Sequence, residues 1–246
     1  MTRRVLVFAL LLAAGASLAT YAVGTVDIAA FSAMDPAQPI PPAWYEIKLT
    51  RLKSPEYSLV RDEGATVLRV YASSAGGSLV HRVDVDPKGK PYLAWRWKID
   101  HVVQAGDLDR PEGDDYAARV YVMFDLPLSE LPFGLRAKVR LARLLHSDVP
   151  AAAICYVWDN RHPVGTMRPN THVGSVRMIV LRSGPEGAGK WATESRDLDA
   201  DFRAAFADLA PHATPRIVGI AVGNDTDQTH ENVTAWFGDL HIGPAR

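Results

Sequence analysis

The run Gly113-Asp114-Asp115-Tyr116-Ala117-Ala118-Arg119-Val120-Tyr121-Val122-Met123-Phe124-Asp125 constrains the fold more than any other part of the chain. Tyr116, Ala118, Val120, Val122 and Phe124 fall on one side and are apolar. Asp115, Arg119 and Asp125 fall on the other, with Tyr121 and Met123 between them. Period-two alternation marks a β-strand with one face on a core and one face available. An acid, an arginine and a tyrosine on the available face form a candidate binding surface.

The same pattern recurs between turn signals. Strands are predicted over Trp44–Lys48, Tyr57–Arg61, Thr66–Ala72, Ser78–Asp84, Tyr92–Ile99, Asp115–Phe124, Ala153–Asp159, Gly174–Leu181, Trp191–Asp197, Arg216–Gly223 and Val233–Ile242. In Tyr92–Ile99, Leu93, Trp95, Trp97 and Ile99 share one face, and Arg96 and Lys98 share the other. Turns at 87–90 and 184–187 combine proline, which presets φ, with glycine, which permits positive φ. Two segments read as helices. Leu135 to His146 is basic and amphipathic. Asp199 to Ala207 has Asp199 as its expected N-cap, with Phe202, Phe206 and Leu209 spaced to face a core. Strands far outnumber helices, so the expected fold is mostly β: a single-domain, jelly-roll-like β-sandwich with one or two short helices.

The amino terminus carries Arg3 and Arg4, then an apolar run from Val5 to Ala14 and the small-residue segment Gly15-Ala16-Ser17-Leu18-Ala19. This order is that of a secretory signal peptide. Low polarity continues to Val26, about the length that spans a bilayer, so an uncleaved signal anchor is the alternative. The expected organisation is export segment 1–26, proline-rich linker 27–42 and sandwich 43–246, with a periplasmic or secreted location, or anchoring in the inner membrane as the alternative. The formal net charge of −1 gives no nucleic-acid footprint. The single cysteine, Cys155, excludes an internal disulfide and lies in an apolar run, as a buried small hydrophobe does.

Several constellations are candidates for chemistry. Glu194 and Arg196 alternate on one side of their strand. If that face lines up with Asp115 and Arg119, the four make either a lattice that binds a polar ligand or a self-satisfied ion-pair network. Trp158, beside the polar loop Asp159–His172, is the tryptophan best placed to be exposed for stacking on a sugar ring; most of the others belong in the core. The loop itself either grips a ligand or packs over a sheet edge. Asp225 and Asp227, with Asp239 in the final strand, offer oxygens suited to calcium, against the plainer reading of a solvated turn. The spacing is not that of an EF-hand. No nucleophile elbow, phosphate loop, CxxC or HExxH is present.

The ordered set Trp95-x-Trp97, Gly113-Asp114-Asp115 with Arg119-x-Tyr121, Tyr156-Val157-Trp158, Gly189-Lys190-Trp191 with Glu194-x-Arg196-Asp197, and Asp225-Thr226-Asp227-x-Thr229 resembles an exported bacterial family known only as a domain of unknown function. The resemblance runs from about Trp44 to Ile242 and implies no activity, ligand or site residue. Gln228 stands where that family's acidic turn usually has asparagine. A looser resemblance is to galactose-binding-like and carbohydrate-binding sandwiches, some of which hold calcium beside an aspartate of the last strand, here Asp239.

The residues favour non-catalytic binding of a polar ligand such as a saccharide or cell-envelope glycan, through Asp115, Arg119, Trp158, Glu194 and Arg196. The alternatives are a glycan hydrolase or lyase using clustered carboxylates, and a structural envelope protein.

Overall fold

The computed structural model describes residues 24–47, 52–89, 91–137, 140, 151–209 and 213–244. Its strands are β1 (Val26–Ala29), β2 (Trp44–Ile47), β3 (Glu56–Asp62), β4 (Ala65–Ser73), β5 (Gly76–Val85), β6 (Tyr92–Ile99), β7 (Ala118–Phe124), β8 (Ala152–Asp159), β9 (Met167–Pro169), β10 (Val176–Ser183), β11 (Ala192–Asp197), β12 (Ile217–Asp225) and β13 (Asn232–Gly243). They form two sheets. The first runs β11-β6-β13-β4-β3, with β1 also on β13; the second runs β2-β5-β12-β7-β8-β10-β9. All pairings are antiparallel except β8 with β10. The result is the expected single-domain, jelly-roll-like sandwich.

Alternation places the core between the sheets. Leu93, Trp95, Trp97 and Ile99 of β6 face Ala118, Val120, Val122 and Phe124 of β7 and Ile154, Tyr156 and Trp158 of β8 in one cluster. Trp95 and Trp97 meet edge to face with centroids 5.5 Å apart, and Trp97 lies 6.0 Å from Trp158. Such a tiling of large rings adds directional contacts to the burial itself.

The helix Leu198–Ala205 closes one end of the core. Phe202 packs between Phe124 and Phe206, each 4.7 Å away between centroids. Its N-cap is Asp197 rather than Asp199: the Asp197 carboxylate accepts from the N–H groups of Asp199 and Ala200. Asp197 ends β11 in extended backbone, the conformation a cap requires. Asp199 falls in the first turn and pairs with Arg203 one turn on. Of the predicted helix from Leu135 to His146, residues 135–137 and 140 are helical, and the rest lies outside the described residues.

Three further differences have local causes. β7 begins at Ala118, not Asp115, because the N–H of Asp115 goes to the Gly113 carbonyl and that of Tyr116 to the Asp225 carboxylate, leaving neither for the ladder. Tyr116 accordingly packs with Leu108 and Cys155 outside the second sheet. β9 is three residues long and contains proline, so it carries no periodic signal. The segment 27–42, read from its prolines as a linker, packs on the first sheet: β1 pairs with β13, and Phe31 is fully buried against Trp44. The predicted export segment lies outside the described residues up to position 23. Among the described residues no helix is long and apolar enough to cross a membrane.

Candidate functional site

The two faces of β7 separate as the alternation predicts. While its even positions fill the core, Arg119, Tyr121 and Met123 project from the outer face of the second sheet. There they line a cleft of about 390 Å³. Its floor crosses the sheet through Ile47 of β2, Ser78 of β5, Tyr121 of β7, Ala153 of β8 and Val176 of β10. Leu52 and Val173 at its sides are among the few large apolar side chains left exposed, at 39% and 44%.

One end of the cleft is strongly acidic. Asp225, at the end of β12, is buried and forms an ion pair with Arg119, which is only 7% exposed. The other Asp225 oxygen accepts from the Tyr116 N–H at 3.2 Å. Asp115 is buried behind this pair. Its Oδ2 accepts from the N–H groups of Gln228 (3.1 Å) and Thr229 (2.6 Å), so the turn after β12 wraps around it. Its Oδ1 has no donor, and neither does the buried Arg119 Nε have an acceptor. Burial pushes the Asp115 carboxyl upward, partly offset by the Thr229 N–H. Burial also pushes Asp225 up from its ordinary value; Arg119 opposes this, and Asp115, Asp114 and Asp227 add to it.

The walls are tied together by side chains. Asn170 Nδ2 donates to both oxygens of Asp114 at 2.9 and 2.8 Å, joining the loop between β9 and β10 to the loop before β7. Asn170 Oδ1 accepts from the N–H groups of His172 and Val173, which shapes the loop tip. His172 Nε2 lies 3.0 Å from the Pro111 carbonyl. Thus part of the long polar loop does line the cleft, through Asn170, His172 and Val173. Asp114 and Gln228 were named from the sequence only as motif positions, and Asn170 and His172 only as members of a polar loop; the aperiodic composition of these loops gave no signal that would bring the four to one cleft.

The predicted site residues do not all converge. Asp115, Arg119, Asp225 and Asp227 do. Glu194 and Arg196 do not: their register opposite Trp95 and Leu93 turns them toward the space between the sheets, whereas Arg119 points out of the other sheet. Glu194 Oε1 accepts from Arg182 Nε at 2.7 Å and Trp97 Nε1 at 3.1 Å. Arg196 pairs through two bonds with Asp201, which also accepts from the Tyr156 hydroxyl at 2.7 Å. Each carboxylate here is closed by its own cation, and because this face does not line up with Asp115 and Arg119, the four charges form neither the shared lattice nor the shared network expected of them.

Trp158 is not an exposed platform. It is 1% exposed, and its Nε1 donates to the Gly184 carbonyl. It shares the inward parity of Ile154 and Tyr156, and that outweighs its position beside a polar loop. Asp239 does not join Asp225 and Asp227. It lies in a bulge of β13, where its carboxylate accepts from the Ser32 N–H and hydroxyl.

Among the described residues, two groups of side chains present donor atoms close enough to share a metal ion: Asp115, Asp225 and Asp227, and separately Asp107, Asp109 and His162. In the second, Arg161 and Arg168 already pair with the two carboxylates, and His162 Nδ1 lies 3.0 Å from Asp159.

No curated protein matches the chain. Among solved structures it is similar to the family 30 carbohydrate-binding module of a cellulosomal cellulase of Clostridium thermocellum, at 12% identity and a TM-score of 0.41, over 89% of this chain and 97% of that one. It is also similar to the xyloglucanase domain of NopAA, a type three effector from Sinorhizobium fredii solved with cellobiose, at 6% identity and a TM-score of 0.40, over 82% of this chain and 98% of that one. A family model matches residues 42–241, and the chain belongs to that family, the proteins of unknown function DUF3047.

Proposed function

We propose that the cleft on the outer face of the second sheet binds a saccharide without cleaving it. The observation that carries this reading is the amphipathic build of the cleft. Hydrogen-bonding groups, among them the Arg119 guanidinium and the carboxylates of Asp114, Asp225 and Asp227, gather at one end. Tyr121, Met123, Val176 and the exposed Leu52 and Val173 supply the rest. A sugar ring has the matching halves: C–H faces that lie on apolar side chains, and hydroxyls that both donate to carboxylates and accept from Arg and Asn. Arg119 is held in place by Asp225 and lies 5.4 Å from the Tyr121 ring centroid, so its ordering cost is met before any ligand arrives. The export segment read at the amino terminus assigns this binding, within the same proposal, to an envelope or secreted glycan.

The test is calorimetric titration with neutral β-glucan oligosaccharides and with soluble peptidoglycan fragments. Saturable binding to one of these classes is expected, lost when Met123→Trp fills the cleft and kept when Glu194→Gln alters the other network. Shortening of the bound glycan during the titration would move the assignment to a hydrolase or lyase. Binding that survives Met123→Trp would remove the cleft from the account.

A further inference from the structure

We propose that Asp115, Asp225 and Asp227 form a calcium site at the acidic end of the cleft. The three carboxylates come from two distant chain segments, the loop before β7 and the end of β12 with its turn, yet each offers an oxygen within 4.8 Å of the others. Proximity of acids alone does not make a site. The independent observation is Asp115: at 1% exposure it is almost completely removed from water, and its Oδ1 faces no donor. A buried carboxylate oxygen without a partner is costly, and buried charge is normally paired or bound to a metal.

The local charge balance points the same way. Asp114, Asp115, Asp225 and Asp227 act on one another, and the described ion pairs give this group one guanidinium, Arg119, which is committed to Asp225. The remaining approach by a basic side chain is His172 at 4.0 Å from Asp114, outside the three-carboxylate group. A divalent cation would compensate what Arg119 leaves uncompensated.

Arg119 does not block the site. Each Asp225 oxygen has one donor, leaving lone pairs on both for a second interaction. Asp227 accepts from Gln228 Nε2 through Oδ2. Its Oδ1 rests over Gly76, where a Cβ would lie only 2.5 Å away, so the absence of a side chain at residue 76 leaves room for this carboxylate. The buried Gln228 Oε1 also lacks a donor and adds a neutral oxygen beside the acids.

The donor set selects the ion. Every candidate ligand is oxygen, which disfavours zinc, for which nitrogen and sulfur are the usual partners. Calcium accepts irregular cages of six to eight oxygens, whereas magnesium demands a tight octahedron and keeps several waters. Carboxylates and an amide fixed by two chain segments, open on one side to a cleft that admits water, suit the larger ion.

The inference does not depend on the identity of the cleft's ligand. The purified protein, stripped with chelator and dialysed, is titrated with calcium chloride by calorimetry and melted with and without it. One calcium per chain is expected, with saturating calcium raising the melting midpoint by about 5 °C or more and magnesium raising it less. Asp227→Asn, in a half-buried turn, should fold and bind calcium about tenfold or more weakly, whereas Asp239→Asn should bind like the parent. No calcium heat and no midpoint shift at millimolar calcium would overturn the proposal, as would a site lost with Asp239→Asn and kept with Asp227→Asn. Glycan binding lost while calcium binding persists would sink the saccharide reading and leave the cation site standing.

Discussion

Two arginine–carboxylate clusters of this protein look alike in sequence and differ in chemistry. At the edge of the first sheet, Arg182 and Trp97 close on Glu194, and Arg196 and the Tyr156 hydroxyl close on Asp201, so each carboxylate is matched by a cation. On the outer face of the second sheet, Arg119 serves Asp225 alone while Asp114, Asp115 and Asp227 crowd beside it, and buried Oδ1 and Nε atoms are left over. Closure marks a structural cluster, because a network with every bond made gains nothing from a further partner. Incompleteness in a buried setting marks a site, because the groups left over still offer bonds that only something outside the chain can make.

This contrast can be broken by mutation, and the largest effect is expected where a buried charge is stranded. Asp225→Ala leaves Arg119 buried with no carboxylate partner and should cost roughly 3–5 kcal/mol in denaturant unfolding. Asp201→Ala in the closed cluster removes the acceptor of the Tyr156 hydroxyl and of Arg196, whose side chain is one-third exposed. Roughly 2–4 kcal/mol is expected there, with the affinity of the cleft for its ligand unchanged. If Asp201→Ala abolished binding, the division between the clusters would fail.

The sign of the next effect separates the two clusters more sharply than its size. In chelator, Asp227→Asn removes one negative charge from a crowded set and should change stability by less than about 0.5 kcal/mol, or raise it. Glu194→Gln, which takes the acceptor charge from Arg182 and Trp97, should lower stability under the same conditions. Equal losses would mean that the acidic end of the cleft is as well balanced as the sheet edge.

The smallest effect is on pH dependence, away from both clusters. Hydrogen bonds from Arg203 and then Thr214 hold Asp199 below its ordinary value. A depressed folded-state pKa contributes stability that is present above the unfolded value near 4 and is lost as pH falls through the folded value. Arg203→Ala should therefore flatten the acid limb of the unfolding curve below about pH 4 and leave neutral binding untouched.

Much of this architecture was legible because alternation is local. β6 matches its predicted bounds, and the parity of Val120, Val122 and Phe124 placed the core side of β7 correctly. Sheet membership is not local. Nothing in Glu194-Ser195-Arg196 says that β11 pairs with β6 rather than β7, and so an inward-facing network and an outward-facing site could not be told apart. Trp158 could have been assigned to the core from its step of two from Tyr156; its polar neighbours suggested exposure instead. Asp239 was paired with Asp225 and Asp227 on chain proximity, but a bulge in β13 gives its carboxylate to Ser32. Asn170 and His172 lie in a loop without periodicity, where composition suggests a role and no pattern supplies a direction.

A spectroscopic titration reaches the cleft most directly. Isotope-labelled protein would be titrated with the oligosaccharide class that binds by calorimetry, and backbone amide shifts followed by NMR. Saturable shifts are expected, concentrated at Arg119, Tyr121, Met123, Asn170 and Gln228, with the amides of Glu194, Arg196 and Trp158 still. Shifts centred on β11 and Trp158, or no saturable shift with any class, would contradict binding in the cleft.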